Sequence, residues 1–219
     1  MKQHSEQIHE QPGKSSTKFS RWNSHKQMIL IPALSLIIIA ACNKEKTTDT
    51  PPAYHITESE KLIVPAAIDL PANMPAGNTR VATFYAEGVQ KYKAQVNAGS
   101  NPVTYRWVLV APLASLYNAA NVKVGTHTAG PTWQLSAMDS IFGQQFNPPK
   151  SAPSPDPASI DWLLLMPKTG KTPTGFFAGV SYIQRIATKG GKAPVALPVS
   201  AADTIDVHYT AVYRFTKQN

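Results

Sequence analysis

The chain has 219 residues, a formal net charge of +8 and one cysteine. It is therefore long enough for one domain with a sizeable core, and its scattered basic residues do not form the patch that nucleic-acid binding requires. With Cys42 alone, the chain can form neither an internal disulfide nor a cysteine-based zinc site.

The amino-terminal region predicts export and lipidation. Residues 28–41 form an uninterrupted run of 14 apolar or small residues that follows several lysines and an arginine, which is typical of a signal peptide. The run is too short to cross the hydrocarbon core as a helix. Because Ala40 and Ala41 precede Cys42 as in bacterial lipoproteins, we predict a lipoprotein signal peptide over residues 1–41 and a lipid on Cys42. An ordinary secretory signal is the alternative.

The stretch after the cysteine predicts a connection to a membrane. Residues 42–61 are polar, contain a Pro-Pro pair and lack apolar periodicity, which indicates a flexible tether. From Cys42 onward, 16 basic and 11 acidic residues give a net charge of +5, so attraction to anionic surfaces is mild. By analogy with lipoproteins generally, Asn43 favours the outer membrane of a bacterial envelope. The predicted partner is thus a membrane, reached through the N-terminal lipid.

Residues 62–219 predict an all-β fold: a single-domain antiparallel sandwich or barrel with at most short helices. Apolar side chains alternate with polar ones along the last segment, from Ile205 through Tyr209 and Tyr213 to Phe215. Further strands are predicted over residues 80–86, 89–96, 103–110, 160–166 and 179–188, with Gly88 separating the first two. Short helices could form at most over residues 113–120 or 137–145. The proline-rich residues 147–158 predict a loop, because proline cannot donate to a sheet ladder.

His127 is the histidine with the most suggestive surroundings. It lies in the turn-rich run VGTHTAGPTW, close to Trp133, where an imidazole could act as a general base or contact a ligand. It could equally fix a hairpin through local hydrogen bonds with the neighbouring threonines. An envelope hydrolase that uses His127 with Asp139 or Asp161 is therefore an alternative to a binding function.

Gln184 and Arg185 interrupt an apolar strand, so they either face solvent or form a buried polar network. With His127 and Trp133 they make up the candidate ligand-binding site. The tyrosines and tryptophans predict core packing more than an exposed sugar-stacking surface, because those of the final strand lie on its apolar face. No motif predicts a metal, a cofactor or a named reaction.

Five segments in order resemble the domain of unknown function family 3455: GVQKYKA, VGTHTAGPTW, DWLLL, YIQRIATKGGKAP and VHYTAVYRF. The resemblance covers residues 62–215 and implies an exported protein of a family found in bacteria and fungi, with no activity to transfer. Many members have a cysteine at the position of Ala94 and another shortly after that of Pro194, which implies that this chain has lost a disulfide.

The function predicted from all of this is a lipid-anchored, non-catalytic envelope domain that binds a ligand or partner, such as a glycan or another envelope protein. A structural or adhesive surface protein is a further alternative, and it would present a flat aromatic surface without a pocket.

Overall fold

The computed structural model describes residues 62–219, and the predicted signal peptide and tether lie outside the described residues. Eight strands follow one another: β1 (Asn78–Val96), β2 (Tyr105–Tyr117), β3 (Lys123–Thr128), β4 (Thr132–Ser136), β5 (Asp139–Ala152), β6 (Trp162–Pro167), β7 (Tyr182–Gly190) and β8 (Thr204–Gln218). Each strand pairs antiparallel with the next, and β8 pairs with β1 to close a barrel. The all-β prediction is confirmed, and of its two architectures the chain adopts the barrel.

The only helical elements in residues 62–219 are two 3₁₀ turns, at Ala66–Ile68 and Gly175–Phe177. The two segments for which a short helix was considered lie mainly in β2 and β5, so that interpretation was wrong. In this part of the chain, no helix has the length and apolar character needed to cross a membrane.

The alternation along β8 places one face inside the barrel, as predicted. Tyr209, Ala211, Tyr213 and Phe215 are each at most 1% exposed and belong to the interior core. Because side chains alternate along a strand, the intervening residues point outward.

Gly88 does not separate two strands: residues 78–96 form one continuous β1, so that prediction was wrong. A Cβ atom at Gly88 would lie 2.1 Å from the Leu113 carbonyl oxygen of the paired strand. The glycine is needed because the β2 backbone approaches too closely for a side chain.

The proline-rich segment is also partly different from the prediction, because residues 147–152 belong to β5. Gln145 pairs with Leu165 and Lys150 with Leu164, so the intervening residues 146–149 bulge out of the ladder. Pro148 and Pro149 lie in that bulge, where the missing N–H groups break no ladder hydrogen bond. Residues 153–161 then connect to β6 without forming a named strand.

A second apolar cluster lies on the outer face of the barrel. It contains Ile68 from the segment before β1, together with Leu164, Ile186 and Val212 from β6, β7 and β8. Ile68 and Leu164 are fully buried. The segment before β1 therefore covers part of the sheet, which would otherwise expose apolar side chains to water.

The barrel interior has two halves that differ in chemistry. In the aromatic half, Phe177 packs against Phe215 and Phe84, with ring centroids 4.9 and 6.4 Å apart. The polar half contains Gln90, His127, Tyr209, Tyr213 and the inner face of Arg185. Trp133 lies between them, since its ring contacts both Phe215 and Tyr213.

Candidate functional site

A cavity of about 270 Å³ lies in the polar half of the barrel interior. Three of the four predicted site residues, His127, Trp133 and Arg185, line it, together with Gln90 and Tyr213. At about 30 Å³ for each water molecule in the liquid, the cavity has room for roughly nine waters or a compact organic molecule.

The cavity exists because the barrel wall is incomplete at this position. Residues 105–113 of β2 pair with β1, but pairing with β3 begins only at Ala114, opposite His127. The unpaired part of β2 and the turn between β3 and β4 at Gly130 and Pro131 contribute to the cavity wall. Openings of this kind in barrels are common sites for small ligands.

The β3–β4 hairpin positions His127 and Trp133 as direct partners in the ladder. Their rings stack with centroids 4.5 Å apart and an interplanar angle of 15°. His127 Nδ1 lies 2.9 Å from the Thr132 carbonyl oxygen. Because a carbonyl can only accept, Nδ1 carries the proton and Nε2 is left as an acceptor. His127 thus fixes the hairpin and lines the cavity at the same time.

Electrostatics keep His127 neutral. Burial lowers the pKa of His127 to about 3; the hydrogen bond to Thr132 opposes the decrease, and the charge of Arg185 adds to it. Across residues 62–219, no carboxylate lies within ion-pair distance of His127. Asp139 instead accepts a hydrogen bond of 2.7 Å from the Phe176 N–H, and Asp161 is exposed on the segment before β6. The structure does not bring either carboxylate to His127, so the geometry does not favour the hydrolase alternative.

Gln184 and Arg185 lie on opposite faces of β7. The Gln184 side chain points outward and its Nε2 donates to the Ile68 carbonyl oxygen at 2.9 Å, in the outer cluster. Arg185 points to the cavity, where its Nε and Nη2 donate to the Asp161 carbonyl oxygen at 3.1 and 2.8 Å. The structure therefore separates Gln184 from the other three predicted site residues.

Gln90 and Tyr213 are cavity residues that the sequence analysis did not propose as site residues. Gln90 is 2% exposed and Tyr213 is 1% exposed. Burial raises the pKa of Tyr213, while Arg185 and the neighbouring Tyr209 hydroxyl partly oppose that rise. The one sequence signal for Gln90 was its position within a predicted strand, because an amide that is buried there needs a hydrogen-bond partner.

The aromatic side chains of β8 belong to the core. The tyrosines of β8 are buried rather than arranged as an exposed aromatic surface, as the core-packing prediction expected. Among the described residues, no group of three or more histidine, cysteine or acidic side chains could hold a metal ion.

Comparison with known proteins identifies a family of unknown function but no individual relative. A family model described as "Protein of unknown function (DUF3455)" matches residues 75–217, which include β1 to β7 and all of β8 except its last residue. No curated protein and no solved structure matches the chain.

Proposed function

We propose that this chain, which belongs to the DUF3455 family, is a lipid-anchored, non-catalytic envelope protein that binds a small ligand in the barrel cavity. The observation that carries this proposal is the cavity of about 270 Å³ on which His127, Trp133 and Arg185 converge. Aromatic and aliphatic walls with a few directed polar groups are the usual composition of small-molecule sites.

The non-catalytic part of the proposal is supported by the state of His127. Its Nδ1 is engaged by the Thr132 carbonyl oxygen rather than by a carboxylate. A pKa of about 3 is also far from the value that a general base needs near neutral pH. The residue is better suited to packing and to accepting a hydrogen bond than to moving a proton.

A ligand screen on the purified full-length chain tests the binding function. A ligand present at about 100 times its Kd should raise the Tm by about 5–10 °C, because it binds only the folded state. Leu163→Trp, on the inward face of β6 opposite Arg185, adds a larger ring to the cavity wall and should abolish the shift. Leu197→Trp, at an exposed position after β7, is the matched control and should retain it. If ligands shift the Tm of the Leu163→Trp variant as much as that of the wild type, the cavity is not the site.

The anchor is tested separately, by membrane fractionation of the wild type and of Cys42→Ala in a bacterial host. A lipid-modified Cys42 holds the wild type in the membrane fraction, because buried acyl chains contribute about 0.8 kcal/mol per CH₂. The alanine variant should move to the soluble fraction. Unchanged fractionation would overturn the anchor and leave the cavity function untouched.

A further inference from the structure

Arg185 brings a positive charge to the cavity that no described acidic side chain neutralises. The ion pairs within residues 62–219 are Lys91 with Asp206 and His208 with Glu87, and neither includes Arg185. Its guanidinium donates two bonds to the Asp161 carbonyl oxygen, which use two of five N–H donors. The guanidinium therefore retains both charge and donors for a ligand.

Three further cavity residues carry buried polar atoms without a hydrogen-bond partner: Trp133 Nε1, Tyr213 OH and Gln90 Oε1. All three residues are at most 2% exposed. A buried polar atom without a partner is unfavourable, and these atoms belong to residues that line one cavity, so a ligand that reaches them would complete their hydrogen bonds.

The chemistry of these atoms defines what they would hold. Arg185 and Trp133 Nε1 can only donate and so require acceptors, and the Tyr213 hydroxyl can donate to the same acceptor. Gln90 Oε1 can only accept and requires a donor such as a hydroxyl. Since His127 is neutral, the site offers one positive charge rather than two. Leu109, Pro131, Leu163 and Leu165 supply apolar surface for a carbon skeleton.

We propose that the cavity binds a compact, singly charged organic carboxylate, with its carboxylate on Arg185 and the Tyr213 hydroxyl and its carbon skeleton against Trp133 and Leu165. A single cation with apolar walls suits a monoanion better than a phosphate dianion, whose second charge would be buried without a partner. A hydroxyl on the ligand would in addition satisfy Gln90. This inference rests on the proposed binding function and specifies its ligand class.

Calorimetry on the full-length chain tests the ligand class with paired probes: hexanoate, benzoate and 4-hydroxybenzoate, each against its neutral amide. At least one carboxylate should bind about tenfold or more tightly than its amide, the factor expected when a charged hydrogen bond is replaced by a neutral one. Arg185→Gln should reduce that ratio to about one, whereas Arg106→Gln, on the exposed face of β2, should leave it unchanged.

Tyr213→Phe is the second variant, and it guards against a folding defect in the arginine variant. It removes only a buried hydroxyl and leaves the ring in place, so the Tm without ligand should stay close to that of the wild type while carboxylate affinity falls severalfold. Equal binding of carboxylates and amides would overturn the carboxylate inference but leave the cavity function standing. If no carboxylate binds at millimolar concentration while other compounds in the screen do, the inference is also wrong. If nothing in the screen or in either series binds, the cavity function fails with it.

Discussion

Both halves of the barrel interior are lined by the inward side chains of the same strands, but only one half is filled by the chain itself. In the aromatic half, the chain fills the interior itself: Phe177 comes from the 3₁₀ turn at Gly175–Phe177 and is fully buried against Phe84 and Phe215. In the polar half, the chain leaves a cavity and several buried polar atoms without partners.

We therefore expect the aromatic half to contribute most to the stability of the fold and the polar half to bind the ligand. The aromatic half has the dense packing that stabilises a folded domain, since removal of a buried ring leaves a void with no compensating contacts. The polar half has unsatisfied donors and acceptors, which weaken the fold slightly but give a ligand its contacts. A site of this kind can be rigid because the other half of the same barrel holds the strands in place.

The largest expected effect comes from Phe177→Ala, which should lower the free energy of unfolding by about 3–5 kcal/mol through lost burial and a new cavity. Phe176→Ala is the matched control in the same turn, because Phe176 is 47% exposed and should cost far less. Urea unfolding of both variants measures the difference. Similar losses in the two variants would show that the aromatic half does not depend on Phe177.

An intermediate effect on the free energy of unfolding is expected when the pH is lowered, because His127 in the polar half is buried in its neutral form. The pKa of His127 is about 3 in the folded state and about 6.5 when unfolded, so between these values the unfolded chain binds more protons. Stability should therefore fall as pH decreases below 6.5, by about 1.4 kcal/mol per unit, or about 2 kcal/mol by pH 5.

Denaturant unfolding across this pH range checks the expectation. His127→Phe keeps a ring that can stack on Trp133 but cannot titrate, so its stability should be less dependent on pH. His55→Gln, in the predicted tether, leaves His127 in place and should keep the slope of the wild type. A wild-type curve that is flat from pH 6.5 to 5 would contradict a neutral, buried His127.

The smallest effect sharpens the contrast between Gln184 and Arg185. Gln184→Leu removes the hydrogen bond to the Ile68 carbonyl oxygen and should lower the free energy of unfolding by about 1 kcal/mol. Ligand affinity should not change, because Gln184 lies on the outer face of β7. A loss of affinity comparable to that of Arg185→Gln would show that the two faces of the strand are coupled.

Part of the site was predictable because it depends on short-range geometry. His127 and Trp133 lie six residues apart around a Gly-Pro turn, and a hairpin brings such positions side by side. Gln184 and Arg185 are adjacent in a strand, so a period of two requires that they face opposite sides. Grouping both in one site overlooked that rule, and the structure places only Arg185 at the cavity.

Other features of the site and the fold could not be predicted, because they depend on pairing between segments that are distant in the sequence. Gln90 meets Tyr213 only because β1 and β8 close the barrel, and their separation along the chain gave no local signal. From the sequence, Gly88 was interpreted as a strand break. The contact that requires a glycine there, with the Leu113 carbonyl, lies on another strand and could not be seen locally. Pro148 and Pro149 could join β5 because the bulge opposite Leu164 and Leu165 removed the need for their N–H groups.

By itself, the sequence determined the strand-forming periodicity and the inward face of β8, because each depends on residues that are neighbours along the chain. The lipid attachment at Cys42 stays a prediction from the sequence. Only the tertiary structure decided between a sandwich and a barrel, placed Phe177 inside one half and left the other half open around Arg185. Those outcomes depend on which strands pair and where pairing stops, and such long-range contacts are set by the packing of the whole domain rather than by local preference.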